Sequence, residues 1–336
     1  MTGIIIVLLI FVSVLALVLL NQYQFKKIEK RNPPKGRFVD VDGLKLHYLR
    51  QGKGQPVVLL HGGVNSCEDF TEVLYYLSNK EYDCISFDRP GYGHSDRPKK
   101  AMSADKQAEL IHKALYEIGI VEPVTIVGHS WSGTLTLSYA RQFPKDVANI
   151  VTLGAAMYKE GYPAERGDLL SKLIMTPFLG TLLMNTLLAT PVAKRMGKQT
   201  VRETFKPEVA PSGYEELLLD LWGRPKQFRA NREDVLLFPE CAYANSHHYC
   251  KITTPITIIV GDSDPFNTVQ MANRLFKEIE HSNLFILKNV GHMIPQKHPQ
   301  QVADLIDRTY WRREVKDKSL SSSPEKVFIT HQNDVY

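Results

Sequence analysis

The chain has 336 residues, 43% of them hydrophobic and 23% charged, with a net charge of +5, which fits one large α/β domain or two small ones. Part of the charge is a local cluster near the N-terminus, and no basic stripe interleaves with aromatics, which argues against a nucleic-acid partner. Cys67, Cys84, Cys241 and Cys250 are scattered with no CxxC or zinc-type spacing, so neither a disulfide framework nor a structural zinc is expected, and a reducing compartment fits.

Gly3 to Leu20 is an uncharged run in which only Ser13 is polar. As a helix its 18 residues would span about 27 Å, close to the roughly 30 Å hydrocarbon core of a bilayer. A cleavable signal peptide would carry a basic region before the run and a small-residue site after it. Here nothing basic precedes the run except the amino terminus, and Asn21-Gln22-Tyr23-Gln24-Phe25 follows it, so an uncleaved transmembrane anchor over 3–20 is expected. Lys26, Lys27, Lys30, Arg31, Lys35 and Arg37 cluster just after the span, which predicts that the rest of the chain lies on the cytoplasmic side. Residues 21–35, ending in Arg31-Asn32-Pro33-Pro34-Lys35, read as a linker.

An α/β pattern follows. Phe38–Val41 and Leu44–Leu49 alternate about Asp42-Gly43, a hairpin signal. Pro56–Leu60 and Cys84–Phe87 read as buried, parallel-type strands. Ser103–Ile118 has helical periodicity with Ser103 as N-cap, Val124–Val127 is a strand, and Trp131–Phe143 is a helix before Pro144. Ile150–Leu153 is the next strand. From 157 to 253 strands disappear, and short apolar helical stretches are broken by prolines. The strand–helix rhythm then returns: Ile256–Val260, Val269–Ile279, Leu284–Leu287 and Gln300–Trp311. The expectation is a mostly parallel sheet with helices on both faces, built from 36–156 and 254–313, and a helical cap over 157–253. Residues 314–336 are polar and aperiodic and are expected to be a disordered tail.

The chemistry centres on Val127-Gly128-His129-Ser130-Trp131-Ser132-Gly133, where a strand runs into a helix. A serine on such a strained turn is exposed above the sheet, needs small neighbours, and faces backbone N–H groups able to meet an oxyanion. The segment resembles the α/β-hydrolase family, whose pattern is Gly-x-Ser-x-Gly; here Ser132 stands at the last position and Gly133 follows. His61-Gly62-Gly63 after one strand, and Asp88-Arg89-Pro90-Gly91-Tyr92-Gly93-His94-Ser95 after another, resemble that family's oxyanion loop and adjoining turn. The resemblance covers roughly residues 36 to 313. It implies Ser130 as nucleophile, with the N–H groups of Gly63 and Trp131 as the oxyanion hole. His61, Asp88 and Ser95 then shape the turns.

The family order of nucleophile, acid and histidine points to His292 in Asn289-Val290-Gly291-His292 as base. In Gly261-Asp262-Ser263-Asp264 two aspartates compete, and the family's Gly-x-x-Asp pattern selects Asp264. His247 and His248 lack a carboxylate or cysteine at ligand spacing, so no metal is expected, and no cofactor is called for.

A serine nucleophile makes an acyl-enzyme. Family dehalogenases and epoxide hydrolases use aspartate at that position, so Ser130 argues against both. A carboxylic-ester hydrolase is expected, and the anchor with a cap rich in Leu, Met and Phe suggests a small lipid-like ester such as a monoacylglycerol. Trp131 and Gly62-Gly63 also resemble family proline aminopeptidases, although Val64-Asn65 replaces their usual Pro-Gly. C–C bond hydrolases and cofactor-free haloperoxidase-like relatives share the triad. A ligand-binding or scaffold member of the fold is the non-enzymatic alternative, and such members often lose the triad this chain keeps.

Overall fold

The computed structural model describes residues 1–318 and 328–329. The chain opens with α1 (Thr2–Arg31). The helix continues beyond the apolar run because Gln22 to Arg31 holds no breaker, and it stops at Asn32 ahead of Pro33 and Pro34, which cannot donate the next helical hydrogen bonds. The segment expected to be a linker over 21–35 is therefore helical as far as Arg31. Ile4 to Val12 and Leu15 to Leu20 leave α1 largely exposed, whereas Asn21, Phe25 and Ile28 are buried against the rest of the protein.

One sheet carries the fold. Its strands are β1 (Arg37–Val41), β2 (Leu44–Gly52), β3 (Gln55–Leu60), β4 (Tyr82–Phe87), β5 (Val124–His129), β6 (Val147–Leu153), β7 (Ile256–Gly261), β8 (Ser282–Leu287) and β9 (Phe328–Ile329). They lie in the order β1-β2-β4-β3-β5-β6-β7-β8-β9. The β1–β2 hairpin is antiparallel and turns through Asp42 and Gly43, both at positive φ, as the dipeptide predicts. β2 is antiparallel to β4, and every pairing from β4 onward is parallel.

The core helices are α2 (Thr71–Ser78), α3 (Ala104–Glu117), α4 (Ser132–Gln142), α10 (Thr268–Glu278), α11 (Ile294–Lys297) and α12 (Pro299–Lys318). Side chains leave a strand on alternate faces, so a strand covered on both sides reads as a continuous apolar run. Val58, Leu60 and Ile126 pack with Ile111 of α3, Leu135 of α4 and Leu275 of α10. Val57, Leu59 and Val127 pack on the other face with Leu74 of α2 and with Val302 and Ile306 of α12. The stretch 314–336, expected to be a disordered tail, is helical to Lys318 and returns to the sheet edge at β9; the remainder lies outside the described residues.

Between β6 and β7 lie α5 (Leu169–Ile174), α6 (Leu179–Leu187), α7 (Pro191–Phe205), α8 (Tyr214–Trp222) and α9 (Pro225–Ser246). Their starts follow local chemistry. Asp168 accepts the Ser171 N–H at 2.7 Å, and Thr190 caps α7 ahead of Pro191. Asn21 fastens α1 to this layer: its Nδ2 donates to the Thr186 carbonyl at 3.1 Å and its Oδ1 accepts the Ala189 N–H at 2.8 Å. Arg31 Nε and Asn32 Nδ2 both donate to the buried carboxylate of Asp220, at 2.9 and 3.0 Å. Asn21→Leu would strand two buried backbone groups at about 1–3 kcal/mol each. The expected result is a lower thermal midpoint in detergent and faster proteolysis across the α6–α7 turn.

Candidate active site

The C-terminal ends of β3, β5, β7 and β8 lie along one edge of the sheet. The strand order reverses between β3 and β5, the place where open α/β sheets bind ligands. Ser130 directly follows β5 at φ +54, in a left-handed region that disfavours a residue with a side chain. Its backbone is held from several directions: its N–H donates to the Leu153 carbonyl at 3.0 Å, and its carbonyl accepts the N–H groups of Gly133 and Ala156. A Cβ on Gly128 would sit 2.1 Å from Thr136 Oγ1, and one on Gly133 would sit 2.5 Å from the Ala155 Cβ, so both positions must be glycine. Ser132, where the family pattern has glycine, donates its hydroxyl to the His61 carbonyl at 2.5 Å. That bond ties the serine turn to the neighbouring loop.

His292 follows β8. Its Nδ1 lies 2.7 Å from Asp264 Oδ2 and its Nε2 lies 2.9 Å from Ser130 Oγ. The carboxylate fixes the tautomer: Nδ1–H donates to Asp264, leaving the Nε2 lone pair to accept the serine hydroxyl. The Asp264 side chain is fully buried, and its Oδ1 accepts the Phe266 N–H at 2.9 Å. Burial alone would push that carboxyl up, but the neighbouring imidazole and the hydrogen bonds hold it below the ordinary range. Asp262, the competing aspartate, points elsewhere and accepts the Asn289 N–H at 2.8 Å. Ser130 is half-buried, so its hydroxyl is reachable.

On the other side of Ser130 lies His61-Gly62-Gly63. Among the described residues the N–H groups of Gly63 and Trp131 donate to no protein acceptor, although Trp131 is buried. The loop is held from behind. His61 donates Nδ1–H to the Gly62 carbonyl at 2.9 Å, and its Nε2 accepts the Arg89 N–H at 3.0 Å. The fully buried Arg89 guanidinium donates to the His61 and Gly62 carbonyls at 3.1 and 3.0 Å and to Asp234 of α9 at 2.7 Å. It also lies 4.2 Å from the Trp131 ring. Asn231 of α9 donates to the Gly63 carbonyl.

Asp88 and Ser95 hold the turn beneath, as the motif implies: Ser95 Oγ donates to the Asp88 carbonyl at 2.7 Å, and Asp88 accepts the Cys67 N–H at 2.8 Å. His47 completes this latch, because Gly36 donates to its Nε2 and leaves Nδ1–H for Asp88 at 2.8 Å.

Ser130, Asp264 and His292 thus meet, and Gly63 and Trp131 flank them. Sequence reasoning missed Asn231 and Asp234, which lie in α9 and carry no motif, and it missed the role of Arg89, which sits inside a quoted motif as an unremarkable turn residue. It also missed His129, whose Nε2–H donates to the His292 carbonyl at 3.0 Å.

Residues 55–172 match the family described as alpha/beta hydrolase fold, and residues 184–303 match the one described as Serine hydrolase (FSH1). The chain has the α/β-hydrolase fold. Among curated proteins it is 26% identical to the uncharacterized hydrolase YugF of Bacillus subtilis, over 79% of this chain and 94% of that one. It is 23% identical to Lipase 1 of Psychrobacter immobilis, over 79% of this chain and 80% of the other. A crystal structure of a membrane phospholipase A, 18% identical, superposes with a TM-score of 0.65 over 93% of this chain and 99% of that chain, which shows a shared fold.

Two buried histidines in this α/β-hydrolase site give a pH signature. Burial, reinforced by Arg89 for His61 and by His292 for His129, lowers both from 6.5 to about 3. The unfolded chain therefore takes up protons near pH 6.5 that the folded chain refuses until about 3. Stability is level above that window and is lost as pH falls through it. Among the described residues the His129 Nδ1 has no hydrogen-bond partner, so protonating it would bury an unpaired donor. The midpoint of thermal unfolding should fall as pH drops below about 6.5, and His129→Gln should make that slope shallower. An unchanged slope would rule out a buried neutral His129.

Proposed function

We propose that this α/β-fold hydrolase cleaves carboxylic esters of lipid-like alcohols or acids through an acyl-enzyme on Ser130, while α1 holds it at a membrane. The observation that carries the reading is the continuous pair of hydrogen bonds from Asp264 through His292 to Ser130 Oγ, next to two N–H groups without protein acceptors. In the proposed mechanism, Nε2 of His292 takes the hydroxyl proton as Ser130 Oγ attacks the acyl carbon. The carbonyl oxygen becomes an oxyanion that accepts from the N–H groups of Gly63 and Trp131. His292 then returns the proton to the departing alkoxide. A water molecule repeats the sequence, releasing the carboxylic acid and restoring the serine. Asp264 stays ionised throughout and keeps Nδ1 protonated.

Support for an ester over an N-terminal proline substrate comes from charge. The charged side chains lining the cavity beside the oxyanion loop are Lys194 and Arg232, both basic, which disfavours a substrate ammonium group there. Support for a retained anchor comes from Asn21, Phe25 and Ile28, which are built into the folded domain directly after the apolar run. Support for a cytoplasmic hydrolase comes from the basic cluster after that run.

A fluorophosphonate probe should label the wild type and leave Ser130→Ala unlabelled. Turnover of p-nitrophenyl esters should rise from acetate to medium chains, whereas cleavage of proline-naphthylamide with no ester turnover would refute the proposal. Asp264→Asn should lower kcat by roughly 10⁴ through the wrong imidazole tautomer. Asn231→Ala removes the clamp on the Gly63 carbonyl, together with the amide oxygen that accepts from Trp222 and Arg232. It should lower kcat about tenfold with little change in KM, less than the roughly 10²–10³ lost with an oxyanion donor itself.

A further inference from the structure

A cavity of about 360 Å³ lies between α1 and the helices of the cap. Phe25 and Ile28 of α1 form one wall, and Met196 of α7 with Leu219 and Trp222 of α8 form much of the rest. The volume falls in the usual range for small-molecule sites, roughly 300–1,000 Å³. We propose that this cavity is an acyl-chain site that is filled sideways from the bilayer, so that a single chain of a membrane-borne lipid ester lies along α1 with its ester end at Ser130. The proposal rests on the ester-hydrolase reading given above and specifies where its substrate comes from.

Three observations carry it. First, the cavity lies next to the chemistry in the chain. Val64 lines it and directly follows Gly63, the proposed oxyanion donor. Helix α7 runs from the cavity at Met196 and Thr200 to Thr204, whose carbonyl accepts the His292 N–H at 3.2 Å. Val64 and Leu219 also pack against the apolar group that contains Met293.

Second, the cavity is walled where the apolar helix meets the domain. Asn21, bonded to Thr186 and Ala189 of the cap, comes just after the apolar run, and Leu188 and Ala189 line the cavity. A bilayer around Gly3 to Leu20 would therefore end at the level of these cavity-lining residues.

Third, the cap presents apolar side chains to solvent, several of them on α5 and on α6, the helix that packs against α1. Phe178 is 91% exposed, Leu169 83%, Val192 69% and Met196 66%, with Leu182 and Leu187 also exposed. Large exposed apolar groups on neighbouring helices of a folded domain mark an interaction surface. Continuity with the exposed length of α1 assigns this one to lipid. Lys26, Lys27 and Lys30 on α1 and Lys194, Arg195 and Lys198 on α7 add the basic border of an interfacial face.

The test uses the full chain in phospholipid vesicles. A long-chain fatty acid bearing a photoreactive diazirine should crosslink to peptides containing Phe25–Ile28 and Met196–Thr200, in the wild type and equally in Ser130→Ala. Unlabelled palmitate should compete. In Met196→Trp and Thr200→Phe, checked for folding by fluorophosphonate labelling, the ratio of kcat/KM for p-nitrophenyl dodecanoate to that for the acetate should fall roughly tenfold or more, the scale on which misfitted apolar pockets discriminate. Crosslinks confined to other peptides, or an unchanged ratio, would overturn the acyl site while leaving the esterase reading intact. Mapped crosslinks without hydrolysis of any ester would retain the site and refute that reading instead.

Discussion

A neutral imidazole offers one proton and one lone pair, and His292 commits both. Its Nδ1–H faces a buried carboxylate and its Nε2 faces a hydroxyl on a different strand, with 2.7 and 2.9 Å leaving little slack. Three strand ends must therefore be held in fixed relation, and the rest of the fold can be read as the means of holding them. β5 delivers Ser130 at positive φ, and bonds from β6 and α4 keep it there. β7 and β8 are hydrogen-bonded neighbours, so Asp264 and His292 leave the sheet side by side. Gly154, at the end of β6, lies where a side chain would press on both Asp264 and His292.

The cap is more than a cover. Asn231 and Asp234 on α9 reach down to the loop that carries Gly63, the first directly and the second through Arg89. Thr204 at the end of α7 accepts the backbone N–H of His292. Both sides of Ser130 thus depend on where the cap sits. An unpaired Arg89 or Asp234 at such burial would cost several kcal/mol, so the pair also locks cap to core. Movement of the cap and the geometry of the proposed oxyanion hole are linked by these bonds.

Helix α1 belongs to the same arrangement. Its apolar length is exposed, but its last turns complete a cap cavity and end in a shared carboxylate, Asp220. In the proposed enzyme, membrane attachment and substrate access would be properties of one helix.

The sequence by itself determined the fold class, the apolar N-terminal run, the strand ends that bear Ser130, Asp264 and His292, and the loop bearing Gly63. These are short-range demands: continuous apolar strands for a buried parallel sheet, and glycine where Gly128 and Gly133 touch their neighbours. Only the tertiary structure decided that residues 21–31 are helix docked under the cap, since the same polar residues suit a linker equally well until a partner surface exists. It alone placed Asn231 on a carbonyl 168 residues away and buried Arg89 behind the loop. Asparagine and arginine are ordinary surface residues in any local pattern. Their roles come from contacts that exist only when distant helices pack, and no spacing along the chain encodes those contacts.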